Sequence, residues 1–193
     1  MKKTEPMERE KQLAVRASKR DPEAFAELYD LYVDKIYNYV YYKVGSTVEA
    51  EDLTAQVFTK AWEAIGSYRW QGHSFSPWLF RIAHNLVVDF HRARRPSVDL
   101  DVLETRPSLR DAEESRPEQI LQSMMAMEQV RAAISQLTEE QQTVIILRFI
   151  EGYSTADIAE MMEKRRGAIR GLQFRGLIAL RKILGVEETD EPS

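Results

Sequence analysis

The chain contains no cysteine in its 193 residues, so disulfide bonds, cysteine-ligated zinc and thiol nucleophiles are excluded for it. Proline and glycine are also scarce, with seven and eight copies, and a chain with few helix breakers favours long helices. No apolar run approaches the roughly 20 residues that span a bilayer, and residues 1–6 lack the apolar stretch of a secretory signal. We therefore expect a cytoplasmic protein with no membrane insertion.

Acidic and basic residues are unevenly distributed behind the net charge of −4. Residues 1–96 carry 15 Lys and Arg against 13 Asp and Glu, and residues 128–186 carry nine against seven. The excess acid lies in residues 97–127, with three against seven, and in residues 187–193, with none against four. Two weakly basic blocks are thus separated by an acidic segment, and local patches bear more on partners than the sum does.

Capping signals predict three helices in the first block, over residues 21–45, 46–65 and 76–96. The first begins at an aspartate followed by Pro22 and stops at Gly45. The second opens with the spacing of a capping box, and the third opens with a Ser-Pro pair and is closed by a second proline. No strand pattern and no internal repeat accompanies them.

The second block is also predicted to be helical, and it follows a linker. Residues 97–117 show no sustained periodicity and are rich in Asp, Glu, Ser, Pro and Arg, which predicts a flexible acidic linker. One short helix around Leu100–Leu103 is the alternative. Helices are then predicted over residues 117–137, 138–152, 154–162 and 167–184. The predicted fold class is all-α, with two small helical domains, 1–96 and 118–186, joined by the linker 97–117 and followed by an acidic tail, 187–193.

The predicted helix over residues 77–94 has an apolar face and a polar face. At 100° per residue, Arg81, His84, Asn85, His91 and Arg92 lie opposite a stripe of Leu, Ile, Ala and Phe side chains. Arg supplies charge and a donor fork for phosphate, and Asn can both donate to and accept from a base. This face predicts nucleic-acid binding, and a solvated surface helix is the alternative interpretation.

The loop 66–75 before this helix is rich in rings around one arginine. Its ring and basic residues are Tyr68, Arg69, Trp70, His73 and Phe75. Rings stack on unpaired bases at roughly 1–3 kcal/mol per base, so the loop predicts an adaptable pocket for unstacked bases. The alternative is that one or two of these rings belong to the core.

Residues 152–170 combine a short helix, a tight basic connection and the start of a longer helix, which is typical of a helix-turn-helix. On the longer helix, polar and basic side chains lie opposite an apolar stripe that includes Ile169 and Leu172. Arg170, Phe174 and Arg181 are predicted to point outward, with Arg166 and Gln173 nearby. That outer face suits a DNA major groove, and an ordinary helical hairpin is the alternative.

No set of residues predicts catalysis or a metal site. His84 and His91 are seven residues apart, but no third ligand follows at a usual spacing and cysteine is absent. A phosphate-binding glycine loop and a nucleophile elbow are also missing from the sequence. We predict no cofactor, no metal and no enzymatic activity, and an all-helical enzyme remains only the third alternative.

In combination, these segments resemble the extracytoplasmic-function (ECF) sigma factors of bacterial RNA polymerase over about residues 10–96 and 118–185. Residues 21–29, 50–62 and 76–85 resemble the opening helix, the polymerase-binding helix and the minus-ten recognition helix of the first domain of that family. Residues 137–141 and 152–159 resemble its fourth region. A stand-alone helix-turn-helix regulator that binds duplex DNA is the alternative class.

The resemblance implies roles for three sets of residues. Asp52, Gln56, Phe58, Lys60 and Trp62 are expected on or near the face that binds the clamp helices of the largest polymerase subunit. The loop 66–75 and Asn85 are expected to capture a flipped base of the melted non-template strand, and Arg92, Arg94 and Arg95 are expected to hold phosphate. Arg81 and His84 are also expected to bind the minus-ten DNA. The set expected to read the minus-thirty-five duplex is Arg165, Arg166, Arg170, Gln173, Phe174 and Arg175.

The resemblance also implies partners: core RNA polymerase, including its flap, promoter DNA as duplex and as melted strand, and an anti-sigma factor. The linker is expected to thread toward the RNA exit path. The sequence departs from the family at Met162-Glu163, where Leu-Gly is frequent in the helix-turn-helix turn. It departs again at Phe174, where the family often has a polar residue; this ring is expected either to touch a thymine methyl or to pack on a neighbouring helix.

Overall fold

The computed structural model describes residues 4–72, 74–94 and 117–185 of the chain. Those residues form helices and turns and contain no strand, so the predicted all-α class is confirmed. The helices are α1 (Thr4–Ala17), α2 (Pro22–Val44), α3 (Thr47–Ala64), α4 (Ser76–Ala93), α5 (Pro117–Ile134), α6 (Glu139–Ile145), α7 (Thr155–Met161) and α8 (Arg166–Ile183). A 3₁₀ turn, Ile65–Ser67, follows α3, and a π turn, Ile146–Ile150, follows α6. The predicted linker, the tail, His73 and Arg95 lie outside the described residues.

The predicted boundaries of α2 follow from its caps. The Asp21 carboxylate accepts hydrogen bonds from the N–H groups of Glu23 and Ala24 at 3.1 and 3.2 Å. The Ala24 N–H and the side chain of Arg16 hold the pKa of Asp21 below its ordinary value. At the other end Gly45 takes a φ of 75°, a left-handed conformation that glycine adopts without strain, and donates to the Tyr41 carbonyl at 2.8 Å.

Helices α1 to α4 enclose one core. Its fully buried side chains include Leu28, Ile36, Val57 and Leu79, one or two from each of α2, α3 and α4. Helix α1 was not among the predicted helices, yet it buries Leu13, Ala14 and Ala17 in the same core. The first helix is therefore a structural part of this domain.

Helices α5 to α8 form the second helical domain. Thr138 and Gln141 make both halves of the predicted capping box at the start of α6. Ser154 and Asp157 make a second one at the start of α7. Where a helix was predicted to continue to Gly152, α6 widens into a π turn, and the Tyr153 N–H returns to the Leu147 carbonyl at 2.9 Å.

The two domains touch through α2 and α4 on one side and the segment from α6 to α7 on the other. The Tyr153 ring, from the second domain, lies 5.4 Å from the Phe80 ring on α4, edge to face. The Lys35 ammonium of α2 lies 4.9 Å from the centre of the Tyr153 ring. The buried Lys43 ammonium donates to the Glu139 carbonyl at 3.2 Å. The polar face of α4 consequently lies beside the second domain.

Candidate nucleic-acid interface

The polar face of α4 carries Arg81, His84 and Asn85 as the helical spacing predicts. Arg81 and Asn85 are exposed and His84 is half-buried. Leu79 and Ala83 are fully buried on the opposite side and anchor the helix to the core. The face is therefore rigid, because its supporting side chains are packed.

His84 is oriented by a contact from the core. Its Nδ1 shares a hydrogen bond of 3.2 Å with the hydroxyl of Tyr39, which is almost fully buried. Burial and the Lys43 ammonium lower the pKa of His84, and Glu139 partly opposes them. The imidazole is consequently neutral at neutral pH and presents a hydrogen-bonding edge rather than a charge.

The C-terminal end of α4 supplies arginines at the surface. The Arg92 side chain is 78% exposed, and its only contact of opposite charge among the described residues is Asp89 at 3.7 Å. Arg94 lies 3.4 Å from Glu49, and its guanidinium stands 5.0 Å from the centre of the Phe90 ring. Arg92 is thus more available to a phosphate than Arg94.

Two of the rings predicted to stack on bases are packed in the core. Phe75 is fully buried and Tyr68 is 9% exposed, with their centroids 5.2 Å apart. These rings present no face to a base in this structure, which is the alternative that the sequence left open. Trp70 is half-buried, and Arg69 is exposed and donates to the carbonyls of Gly66 and Tyr68.

A cleft of about 220 Å³ lies between this loop and α4. Its lining includes Ser67, Arg69, Gln71, Trp78 and Arg81. Trp78 and Gln71 were not predicted as site residues. The signal for Trp78 was its position after Pro77, in the first turn of α4, where a partly exposed ring faces the loop. The cleft is therefore lined by the Tyr68 and Trp78 rings, amide and hydroxyl groups, two guanidinium groups and, from α7 of the second domain, the Glu160 side chain.

The face of α3 predicted to bind the polymerase is mostly exposed. Asp52, Gln56 and Lys60 are exposed, and the Gln56 amide donates to the Asp52 carboxylate at 2.8 Å. Phe58 is 5% exposed and its ring lies 4.6 Å from the Tyr29 ring in a tilted arrangement, so it supports this face from within and does not form part of it.

Arg20 was missed by sequence reasoning and closes the C-terminal end of α3. Its guanidinium donates to the carbonyls of Trp62 and Glu63 at 2.6 and 3.0 Å. It also lies 5.5 Å from the centre of the half-buried Trp62 ring. These bonds satisfy carbonyls that a helix end leaves unpaired, and they hold Trp62 in place.

The helix-turn-helix presents the basic face that was predicted on α8. Arg165, Arg166, Arg170 and Arg175 are exposed there, and Gln173 is partly exposed. Ile169 and Leu172 are buried on the inner side. Phe174 is 67% exposed, so the expectation that it packs against a neighbouring helix is wrong for this arrangement.

The turn between α7 and α8 contains Glu163, where the sequence departs from the Leu-Gly that is frequent in the family. Glu163 has a φ of 53°, in the left-handed region that favours glycine. Its carboxylate accepts from the Arg81 guanidinium of α4 at 2.7 Å. A glutamate at this position therefore keeps the turn and adds a contact to the first domain.

The second domain covers part of the α4 face. A space of about 520 Å³ lies between the two, lined by Arg81, His84 and Asn85 on one side and by Glu139, Glu163 and Lys164 on the other. His84 Nε2 is 3.9 Å from the Glu139 carboxylate. Acidic groups of the second domain thus lie where a phosphate chain passes if α4 binds DNA.

The chain matches two family models, Sigma-70 region 2 over residues 28–96 and Sigma-70, region 4 over residues 127–180. It is 36% identical over 173 residues to the ECF RNA polymerase sigma factor BldN of Streptomyces coelicolor, covering 90% of this chain and 65% of BldN. It is 34% identical over 172 residues to the ECF RNA polymerase sigma factor SigW of Bacillus subtilis, covering 86% of this chain and 91% of SigW.

A solved structure of the sigma factor RpoE in complex with the anti-sigma factor NepR, from Bartonella quintana, shares the fold. Its TM-score is 0.67 at 22% identity, over 85% of this chain and 98% of that one. An all-helical chain with these two regions is a transcription initiation factor of the sigma-70 class. More narrowly, it belongs to the ECF RNA polymerase sigma factors.

The described residues place no group of three or more His, Asp or Glu side chains where they could hold a metal ion. Among the helices of the described ranges, none is both long enough and apolar enough to cross a membrane.

Proposed function

We propose that this chain binds core RNA polymerase through α3, captures the melted minus-ten strand on α4 and reads the minus-thirty-five duplex with α8. Residues 1–96 and 118–186 are the corresponding domains, with 97–117 as the linker. The observation that carries the proposal is the position of Asn85, exposed on a rigid helix face between the base cleft and Arg92. An amide there reads a base edge while an arginine two turns on holds phosphate.

The exposed face of α3 supports the polymerase contact. Asp52 and Gln56 are bonded to each other, and Lys60 continues the exposed row one turn later. Arg20 holds the end of the helix, so these polar side chains are presented on a fixed backbone. A preordered polar surface suits docking onto another rigid helical element, such as the polymerase clamp helices.

The cleft beside Trp78 supports capture of a single base. Its 220 Å³ and its ring, amide and guanidinium lining fit one unstacked base better than a duplex. Tyr68 and Phe75 then act as the wall behind Trp78 rather than as stacking partners, and Arg69 and Arg81 face the strand.

The packing of the second domain beside α4 implies that the domains separate when DNA binds. Glu139 and Glu163 lie against His84 and Arg81, and a carboxylate and a phosphate cannot share those positions. The compact arrangement is therefore the form without promoter, and an anti-sigma factor that holds the domains together keeps the chain inactive. A sigma factor of the same fold, RpoE, has been solved in complex with the anti-sigma factor NepR, which supports an anti-sigma factor as a partner.

RNA synthesis itself belongs to the polymerase, so this chain is not an enzyme. It acts with the polymerase on promoter DNA, and its place of action is the cytoplasm. The flap of the polymerase is a second contact, made by the domain that carries α8.

The experiment measures promoter opening by holoenzyme that is reconstituted with the full chain. The fluorescence of a base analogue in the minus-ten strand reports the opening. The promoter is first selected from random duplexes by wild-type holoenzyme. Asn85→Ala is expected to reduce promoter opening at least about fivefold, because the contact of a side chain with a base edge is worth about 1–3 kcal/mol. The affinity for core polymerase is expected to stay unchanged. Ala93→Ser, an exposed change on the same helix, is the matched control.

Unchanged opening by Asn85→Ala overturns the role of this residue. If the chain has no affinity for core polymerase, the proposed function fails. Tight, sequence-specific binding of the free chain to duplex DNA is the result that favours a stand-alone regulator.

A further inference from the structure

A carboxylate on α1 is bonded to the start of α4. Glu10 is half-buried, and its Oε1 accepts a hydrogen bond from the Tyr32 hydroxyl of α2 at 2.7 Å. The same oxygen accepts from the backbone N–H of Phe75, the residue that directly precedes α4. One acid thus joins α1, α2 and the end of the base-capture loop.

This bond replaces a cap that α4 does not have. Phe75 occupies the N-cap position, its side chain makes no capping hydrogen bond, and the next position but one is Pro77. The N-terminal end of a helix leaves backbone N–H groups unpaired and carries a partial positive charge, so a carboxylate is a strong partner there. Glu10 supplies that partner from a segment 65 residues away.

Tyr32 fixes the carboxylate from the other side. Burial and the neighbouring Glu10 hold the pKa of Tyr32 above its ordinary value, so the phenol keeps the proton that it donates. Tyr32 is itself 6% exposed, and its ring lies 5.9 Å from that of Phe75. The position of Oε1 is therefore set by a core residue.

The ring of Phe75 passes this restraint on to the cleft. It lies 5.2 Å from the Tyr68 ring and 5.0 Å from the Trp78 ring. Trp78 lines the candidate base cleft, and Tyr68 stands at its back. A shift of the Phe75 backbone consequently moves the aromatic wall of the cleft and the first turn of α4.

We propose that Glu10 is a positioning residue for base capture: through the Phe75 N–H it fixes the aromatic wall formed by Tyr68, Phe75 and Trp78. The role rests on the proposed function of α4. It gives α1 a part in recognition of the melted strand, although α1 contributes no residue to the cleft.

The test uses full chains carrying Glu10→Ala, Glu10→Gln or, as the matched control, Glu8→Ala. Glu8 is an exposed acid on the same helix, and its partner is Lys11. Holoenzymes are titrated with fork-junction DNA bearing the sequence that wild-type holoenzyme selects from a random pool. Polymerase affinity, the melting temperature and amide hydrogen exchange around Phe75 are measured in parallel.

Glu10→Ala is expected to weaken fork binding about tenfold and to speed exchange of the Phe75 amide, with polymerase affinity unchanged. Gln keeps an acceptor oxygen, so Glu10→Gln is expected to restore most of the binding and the amide protection. Glu8→Ala is expected to behave as wild type. This pattern separates positioning from general stability, since loss of the fold lowers polymerase affinity as well.

Wild-type fork binding by Glu10→Ala overturns the role of Glu10, as does a parallel loss of polymerase affinity or failure of Gln to restore binding. These outcomes differ from failure of the proposed function. In that case wild-type holoenzyme selects no fork sequence, and Asn85→Ala has no effect either.

Discussion

Gly176 lies where α8 comes closest to α6. A Cβ at this position would stand 3.1 Å from Cγ1 of Ile145, whose side chain is 2% exposed, and 3.6 Å from the Gln141 Cβ. Gly176 shares the buried face of α8 with Ile169 and Leu172, and the need for a small residue there comes from the neighbouring helix α6. A glycine here permits an approach that a larger residue prevents.

Gly176→Val is accordingly expected to lower the free energy of unfolding by about 1–3 kcal/mol, because its methyl groups overpack the contact with Ile145. Urea unfolding followed by circular dichroism measures the change. Gly167→Ala, where nothing lies within 4 Å of the added Cβ, is the control and is expected to stay within about 0.5 kcal/mol of wild type. Equal effects of the two changes contradict the packing account.

Tyr68 and Phe75 show the limit of residue-by-residue prediction. An aromatic residue in a loop is equally compatible with stacking on a base and with packing in a core, and type alone does not separate the two. Both rings are buried because Tyr32 and Trp78 surround them. Trp78, in the first turn of α4, is the partly exposed ring at the cleft.

Helix α4 is the element that follows most directly from its sequence. Its apolar positions repeat at helical spacing, and Leu79, Ala83, Leu86 and Val87 are buried as that spacing requires. The same spacing places Arg81, Asn85 and Arg92 together on the other side. A single amphipathic helix thus determines which side chains share the candidate interface.

Neutralising the exposed arginine at the end of this helix tests the interface as an electrostatic surface. Arg92→Gln is expected to make the dependence of log K on log salt shallower by about one for promoter binding, because one fewer counterion is released. Arg9→Gln removes another exposed arginine, on α1, and is expected to leave the slope unchanged. Titration of holoenzyme against promoter at several salt concentrations measures both. An unchanged slope for Arg92→Gln removes it from the phosphate contacts.

Other elements were less predictable. Helix α1 has no N-cap signal comparable to the Asp21-Pro22 pair. Its role became clear only in the tertiary structure, where it packs on α2 and contributes to the core. The π turn after α6 and the return of Tyr153 toward Leu147 have no local sequence signature. The Tyr153 ring that follows this turn contacts Phe80 and Lys35 of the other domain, and no local pattern predicts those contacts.

At the scale of the whole molecule, Glu151 is a titratable group that lies half-buried at the contact between the two domains. It lies in the second domain beside Asn38, Lys35 and Asp34 of α2, and its Oε1 is buried without a hydrogen-bond partner among the described residues. Burial, reinforced by Asp34, raises the pKa of Glu151 to about 7, against the opposing effects of Asn38 and Lys35. The packed form thus holds the proton that the separated form releases.

The sign of the pH dependence follows. Since the pKa is raised in the packed form, the Glu151 contribution to packing is complete below the ordinary value of 4.5 and is lost as pH rises through about 7. Small-angle scattering of the free chain is expected to show that the fraction of molecules with separated domains grows as the pH rises from about 5 to about 8, because Glu151 loses its proton. Glu151→Gln is expected to remove that trend.

His84 and His91 act in the opposite direction. Burial lowers the pKa of both in the packed form, so their contribution is present above the ordinary value of 6.5 and is lost as pH falls. The difference between wild type and Glu151→Gln isolates the carboxyl. If that difference does not vary with pH, Glu151 is not the group responsible. Tyr153→Ala, which removes the ring against Phe80, is expected to favour the extended form at every pH.

Local patterns were sufficient for the helical class, for most helix boundaries and for the polar face of α4, because caps and helical periodicity act over a few residues. The family resemblance followed from the same segments. Distances between remote residues determined the rest: Glu10 against Phe75, Arg20 against the end of α3 and Glu163 against Arg81. Such pairs depend on how helices pack, and helix packing is set by the shapes of whole faces, which no local window contains.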